Sequence, residues 1–403
     1  MAEAVPQSEA QLRAHVSEFS FPRFAGGEGE RRALSLLRER LRSWGMAPEE
    51  VSFQVSRFPF LFFFKAVVAL WGGGLALSLS TLTRFPQLSL VFIAVTAGAV
   101  AFFSRWHPWM ERLYNVPLFG TVESATLHGQ LGSDPDSKAP HLVFMAHYDS
   151  KSQLLPGFIR ALVSFLGLFA LLALSAASLV VVFLPGWGSG VPAVVAYGSG
   201  AIMAVMILLM LFNPSQDKSP GAMDNASGVA VLLALSRHFS LEPPGGAVLH
   251  FLFTGAEEIG LCGSFRFLAE RQQDFPPERT YVVNLDGVGG TEKLLVVDSY
   301  GFPPSITARR LGKFIRNRAR ALGVRLHRAP LVLGALWDHV VWGARGYESV
   351  TLSVGGWDRA TLSVHSSDDS ERHINAGALS LAFKICVDWV SSGEEMEGFA
   401  QNK

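Results

Sequence analysis

Leu142-Val-Phe-Met-Ala-His-Tyr-Asp149 is an apolar run that closes on a histidine and an aspartate. The form recurs at Ala247-Val-Leu-His-Phe-Leu-Phe-Thr-Gly-Ala-Glu-Glu258 and at Tyr281-Val-Val-Asn-Leu-Asp286. A fourth run, Ser349–Val354, ends in glycines that lead on to His365. Continuous apolar runs of this length read as strands covered by helices on both faces. Helical periodicity lies around and between them, at Glu28–Trp44, Ser227–His238, Ser264–Arg271, Pro304–Leu322 and Ala376–Trp389. Val51–Val55 and the alternating Val116–Leu131 read as further strands, the second near an edge. This alternation predicts a three-layer α/β/α domain with a mostly parallel central sheet. In such sheets, sites form outside the carboxyl ends of the strands. Three independent strands ending in ligand-type residues therefore point to one shared site.

The bulk properties limit the partners. The chain has 403 residues, with 34 basic residues balanced by 34 acidic ones, so nothing in its charge calls for nucleic acid. Charged residues make up 17% and hydrophobic residues 49%, well off the usual soluble balance. The two cysteines, Cys262 and Cys386, are too few for a disulfide framework and read as buried thiols. Residues 1–59 contain no signal-type apolar core, so no cleaved signal is expected there.

Four segments, Pro59–Leu82, Leu88–Phe103, Ile159–Leu184 and Val191–Phe212, are almost free of charge. Their length and composition predict transmembrane helices, paired as two hairpins by the turns Thr83–Gln87 and Pro185–Gly190. Arg57, Arg105, Arg112, Lys151, Arg160 and Lys218 flank one side and only Arg84 the other. The positive-inside rule then places the catalytic part in the cytoplasm, as an integral, multi-pass protein with the lipid bilayer as partner. The expected division is 1–57 for the N-terminal part of the catalytic domain and 58–104 for the first hairpin. The domain resumes at 105–157, is interrupted by a second hairpin at 158–213, and is completed by 214–403.

The chemistry is carried by His147, Asp224, Glu258, Asp286 and His365. Asp149, two residues beyond His147 on the same strand face, is placed to orient that imidazole. Taken alone, such a pair is weak evidence. Asp224 sits in Gly221-Ala-Met-Asp-Asn-Ala-Ser-Gly228, and by itself reads better as an ordinary helix cap. A carboxylate there could also bridge two cations, as two-metal hydrolysis requires. Glu257 and Glu258 are adjacent and must diverge, so one can bind metal while the other handles protons. Two acids at the end of a buried strand are costly without a partner.

In these motifs the chain resembles the co-catalytic di-zinc exopeptidases of metallopeptidase family 28, with their phosphorylase/hydrolase-like fold. The resemblance runs from Phe24-Ala-Gly-Gly-Glu-Gly29 to the last helix. It rests on His147-x-Asp149, Gly221–Gly228, Glu257-Glu258-x-Gly-Leu-x-Gly-Ser264, Asn284-x-Asp286, Asp338-His339 and His365. It implies two zinc ions bridged by Asp224, one completed by His147 and Asp286 and the other by Glu258 and His365. Glu257 would be the general base, so Glu257 and Asp149 are the expected catalytic residues, with Asp338 and His339 in support. A cis peptide is implied at Asp224–Asn225. The reading is a membrane-anchored aminopeptidase acting on peptides, its mouth near the bilayer because a hairpin falls between His147 and Asp224. Two alternatives stand beside it: a single-zinc aminoacyl transferase like the glutaminyl cyclases, and a metal-free receptor or scaffold of the same fold.

Overall fold

The computed structural model describes residues 8–105, 107–116, 118–132, 139–184, 190–291, 293–329 and 336–392. Its centre is an eight-stranded sheet. The strands are β1 (Glu49–Ser56), β2 (Thr121–Leu131), β3 (His141–His147), β4 (Val248–Thr254), β5 (Thr280–Leu285), β6 (Leu294–Val297), β7 (His327–Arg328) and β8 (Glu348–Val354). Their spatial order is β1-β2-β4-β3-β5-β8-β6-β7. The middle pairs, β4 with β3, β3 with β5 and β5 with β8, are parallel. β1 with β2, β2 with β4 and β8 with β6 are antiparallel. The sheet is therefore mixed, not mostly parallel. Parallel pairing follows the expectation in the buried centre and returns at the far edge, where β6 and β7 are parallel with the helix Leu311–Ala321 between them.

Side-chain alternation along the central strands divides the core in two. Leu142, Phe144 and Ala146 of β3 pack on one face with Leu249, Phe251 and Phe253 of β4. On that face lie α1 (Glu9–Phe19), α2 (Glu28–Ser43), α7 (Ser227–Leu241), α9 (Leu311–Ala321) and α12 (Ala376–Ser391). Val143 and Met145 point the other way, towards α8 (Cys262–Arg271), α10 (His339–Gly343) and Tyr114. Full burial of β3, β4 and β5 explains why their sequences show no polar–apolar alternation.

Several boundaries differ from the sequence reading. The segment expected to be strand from Val116 starts pairing only at Thr121. Phe119 and Gly120 both have positive φ, which turns the chain just before it. The helix expected from Pro304 begins at Leu311, because Ser305–Ile306 pair instead with Ser299–Tyr300. Helix α1, capped by the Ser8 and Gln11 side chains, and strand β6 were not foreseen.

The apolar segments are helices: Pro59–Thr81, Pro86–Phe103, Gly157–Phe183 and Gly190–Leu211 are long and apolar enough, by length and composition, to cross a membrane. They pack as one bundle around Leu75, Leu82, Ile93, Leu174, Ala177 and Ala196. Most of the second expected turn, 185–189, lies outside the described residues. The neck of the second hairpin is closed by antiparallel pairing of Ser152–Gln153 with Ser215–Gln216.

At the end of the sheet away from His147, three buried histidines form a chain. Nε2 of His128 lies 3.0 Å from Nδ1 of His250, whose Nε2 lies 3.0 Å from Nδ1 of His141. Burial lowers the pKa of His128 to about 4, with the Arg271 charge adding to it, and takes His250 well below its usual value. The folded state thus keeps the His128 and His250 rings neutral where the unfolded chain takes up protons near pH 6.5. Stability from them is complete above pH 6.5 and is lost as pH falls towards 4. His128 alone accounts for on the order of 3 kcal/mol. Thermal unfolding midpoints should fall over that window, and His128→Asn should flatten the decline in a pH series of melting curves.

Candidate metal centre

Each ligand is set by the end of an element. His147 closes β3, Glu258 follows β4, Asp286 follows β5, Asp224 lies just before α7, and His365 lies just beyond α11 (Arg359–Ser363). Asp224 stands between the two histidines. Its Oδ1 is 3.0 Å from Nε2 of His147, and its Oδ2 is 2.9 Å from Nε2 of His365. Nε2 of His147 is 3.6 Å from Asp286 Oδ2, and Nε2 of His365 is 3.3 Å from Glu258 Oε2. The atoms fall into two sets, His147/Asp224/Asp286 and Asp224/Glu258/His365, each within 4.8 Å and sharing Asp224. Imidazole nitrogens and carboxylate oxygens in threes, with one carboxylate common to both, suit a pair of zinc ions. The five side chains form a co-catalytic two-zinc centre.

The loop carrying Asp224 is held from beneath. Asp369 accepts from the backbone N–H of Met223 at 2.7 Å and of Asp224 at 3.2 Å. Asn225 accepts from Gly228 and Gly287 N–H and donates to the Leu285 carbonyl at 2.8 Å. A Cβ on Gly228 would meet that carbonyl oxygen at 2.2 Å, and Gly221 adopts φ 61° against Ser150. The small residues thus let this loop press against the sheet. The Asp224–Asn225 peptide is cis, as the resemblance implied.

Arg23 is fully buried. Its guanidinium donates to the carbonyls of Tyr148 (2.7 Å), Phe21 (2.7 Å), Pro220 (2.6 Å) and Gly221 (3.1 Å), and to that of Phe19. It therefore ties the end of β3 to the Asp224 loop. Glu30, also buried, accepts from Ser124 Oγ at 2.6 Å, Gly26 N–H at 2.5 Å and Ala256 N–H at 3.1 Å. Burial and the nearby Asp149 push its pKa up to about 8.

Asp149 faces His147 and also holds the turn beyond β4. His147 Nδ1 donates to its backbone carbonyl at 3.1 Å, while the carboxylate stands off at 3.5 Å. That carboxylate instead accepts from the N–H groups of Glu257 (3.0 Å) and Glu258 (3.1 Å). It fixes the turn in which the two glutamates diverge. Glu258 turns to the metal set and is held by Lys151, Nζ to Oε2 2.7 Å. Burial would raise its pKa, but Lys151 and His365 override this and bring it to about 2. The Glu257 carboxylate makes no hydrogen bond or ion pair with the described residues. Burial drives its pKa well up against the opposing charge of His147, with Glu258 adding to the rise. Asp224 is the reverse case: burial is overcome by the hydrogen bonds to His147 and His365, which hold it well down.

Asp338 and His339 lie deeper. Asp338 accepts from Thr254 Oγ1 at 2.5 Å, and burial raises its pKa to about 7. His339 Nδ1 is 2.7 Å from Thr351 Oγ1, and burial lowers its pKa to about 3. Four contributors were missed in the sequence: Arg23, Glu30, Asp369 and Lys151. Only Asp369 carried a signal, in the acidic pair after His365. Its neighbour Asp368 faces Arg359 and Arg372 at the surface instead.

The model of peptidase family M28 matches residues 205–390. Aminopeptidase YwaD of Bacillus subtilis is 29% identical over 169 residues, 41% of this chain and 36% of that protein. A vacuolar membrane protease of Candida glabrata is 33% identical over 78 residues, 19% of this chain and 8% of that protein. The chain thus covers well under two thirds of these curated relatives. Among solved structures, the aminopeptidase of Aneurinibacillus sp. strain AM-1 covers 96% of this chain and 94% of its own at 14% identity, TM-score 0.56, which shows the fold. A two-zinc ligand set thus coincides with similarity to zinc peptidases over part of the chain.

The membrane expectation is overturned by the same comparisons. The aminopeptidases and the zinc-dependent exopeptidase whose folds cover 95–97% of this chain are soluble proteins. The 78-residue Candida match is shorter than the four helices together and cannot span them. A membrane-anchored family member, transmembrane hairpins, a bilayer partner, multi-pass insertion and a cytoplasmic catalytic side are therefore all withdrawn. Length and low charge decide whether a helix can cross a bilayer, and are silent on whether it does.

Removing the Arg23 guanidinium orphans carbonyls from three segments at once. Arg23→Met should lower the unfolding free energy by about 3 kcal/mol or more, read by denaturant titration.

Proposed function

We propose that the chain is a zinc-dependent exopeptidase that removes N-terminal residues from peptides. The supporting observation is the pairing of Asp224, one oxygen to each imidazole, with a Glu257 carboxylate left unengaged beside it. His147, Asp286 and Asp224 would hold one zinc, and Glu258, His365 and Asp224 the other. Bound zinc supplies Lewis-acid polarisation of the scissile carbonyl and acidifies water. Glu257 takes the proton from the attacking water and delivers it to the leaving amine. Its buried position favours that cycle, since a carboxylate with a raised pKa is a stronger base than a solvated one. Asp149 is a positioning residue, setting the angle between Glu257 and Glu258 through their N–H groups. Asp338 and His339 shape the floor beneath. The catalytic domain is assembled from 1–57, 105–157 and 214–403, with helical insertions at 58–104 and 158–213.

Glu257→Gln should retain bound zinc while kcat on aminoacyl-fluorophore substrates drops by roughly 10³-fold. Retained turnover would remove Glu257 from the role of base. Chelation should abolish hydrolysis and readdition of zinc restore it, with metal analysis returning two zinc ions per chain at saturation. A single ion at saturation would favour the aminoacyl-transferase alternative.

A further inference from the structure

The two metal-facing histidines meet opposite partners on their far sides. Nδ1 of His147 lies 3.1 Å from the Asp149 carbonyl, which only accepts. That nitrogen therefore carries the hydrogen, and Nε2 keeps its lone pair towards Asp224 and Asp286. Nδ1 of His365 lies 2.9 Å from Nη2 of Arg160, which only donates. This contact puts the lone pair on Nδ1 and the hydrogen on Nε2, aimed at Asp224 and Glu258. Metal-bound imidazoles ordinarily present the reverse, an N–H to an acceptor.

Glu258, the other ligand private to that set, is likewise engaged. Lys151 Nζ lies 2.7 Å from its Oε2, and Lys151 N–H donates to its Oε1 at 3.1 Å. His147 and Asp286 meet no lysine or arginine among the described residues. One half of the centre is thus arranged to receive a cation, and the other already has cations on both private ligands.

Arg160 lies in the first turn of α5 (Gly157–Phe183), the opening helix of the second insertion. That turn is fastened to the ligand loop by Gly157 N–H to the Val364 carbonyl at 2.9 Å. The Arg160 Nε is buried without a hydrogen-bond partner, so the guanidinium gives up a single bond when it leaves His365.

We propose that Arg160 and Lys151 act as a brake on the Glu258/His365 site, making the two zinc sites unequal. Entry of the second zinc displaces both side chains, and the insertion thereby sets how fully the centre is loaded. This rests on the two-zinc reading above.

The test is a competition titration of the metal-free full chain with zinc and a chromophoric chelator. The wild type should bind in two steps. Arg160→Gln should tighten the weaker step by roughly ten- to a hundredfold and leave the tighter one unchanged. Arg160→Glu, which offers His365 an acceptor, should tighten it at least as much, and Lys151→Met should tighten it too. An unchanged first step reports an intact site in each variant. Equal wild-type affinities, or variants that leave the weaker step unmoved or weaker, would overturn the brake alone. Failure to bind any zinc would overturn the two-zinc reading together with it.

Discussion

The metal centre depends on one buried guanidinium. Arg23 gathers carbonyls from residues 19–21, 148 and 220–221, so the strand end bearing His147 and the loop bearing Asp224 share one anchor. Arginine suits this position because its five donors lie in a fixed plane and its charge persists even in a buried site. Burial still brings its pKa down to about 10, with Asp369 and Asp149 opposing the drop. Asp369 completes the suspension from the other side through the Met223 and Asp224 N–H groups. With the loop fixed at both faces, the two oxygens of Asp224 point at the two imidazoles.

That arrangement gathers the buried Asp149, Glu257, Glu258, Asp286 and Asp338 around the partly exposed Asp224. Like charges so close oppose folding unless protons, cations or N–H groups offset them. The chain uses all three. Asp338 and Asp369 are raised to about 7, Lys151 meets Glu258, and Asp149 is spent on two backbone N–H groups. Metal binding adds a fourth source, so ligand affinity and fold stability are coupled.

Four of the five ligands were legible because each ends a buried strand or adjoins a helix start, where an unpaired polar residue is costly; His365, beyond the end of α11, stood out only in company with them. The strands themselves were legible for the same reason: double-sided burial leaves uninterrupted apolar letters. Arg23 was not, since a single arginine in a loop looks the same whether it is solvated or bound to carbonyls. Asp149 was placed beside His147, but its bonds to the Glu257 and Glu258 N–H groups went unread, because strand periodicity sets the face of a side chain and not the reach of a neighbouring turn. The antiparallel pairing of β6 depended on a chain reversal that no motif announces. The four apolar helices were read correctly as helices. Their assignment to a bilayer rested on composition alone, and composition cannot choose an environment.

The small clasp at the base of the second insertion has a consequence for chain topology. Ser152–Gln153 pair with Ser215–Gln216, so the excursion between them is a closed loop whose ends are already joined. Closure entropy rises only logarithmically with loop length, about 0.6 kcal/mol per doubling. The helical pair is therefore thermodynamically a large pendant on a short stem. Its length could vary widely with little effect on the distance between His147 and Asp224.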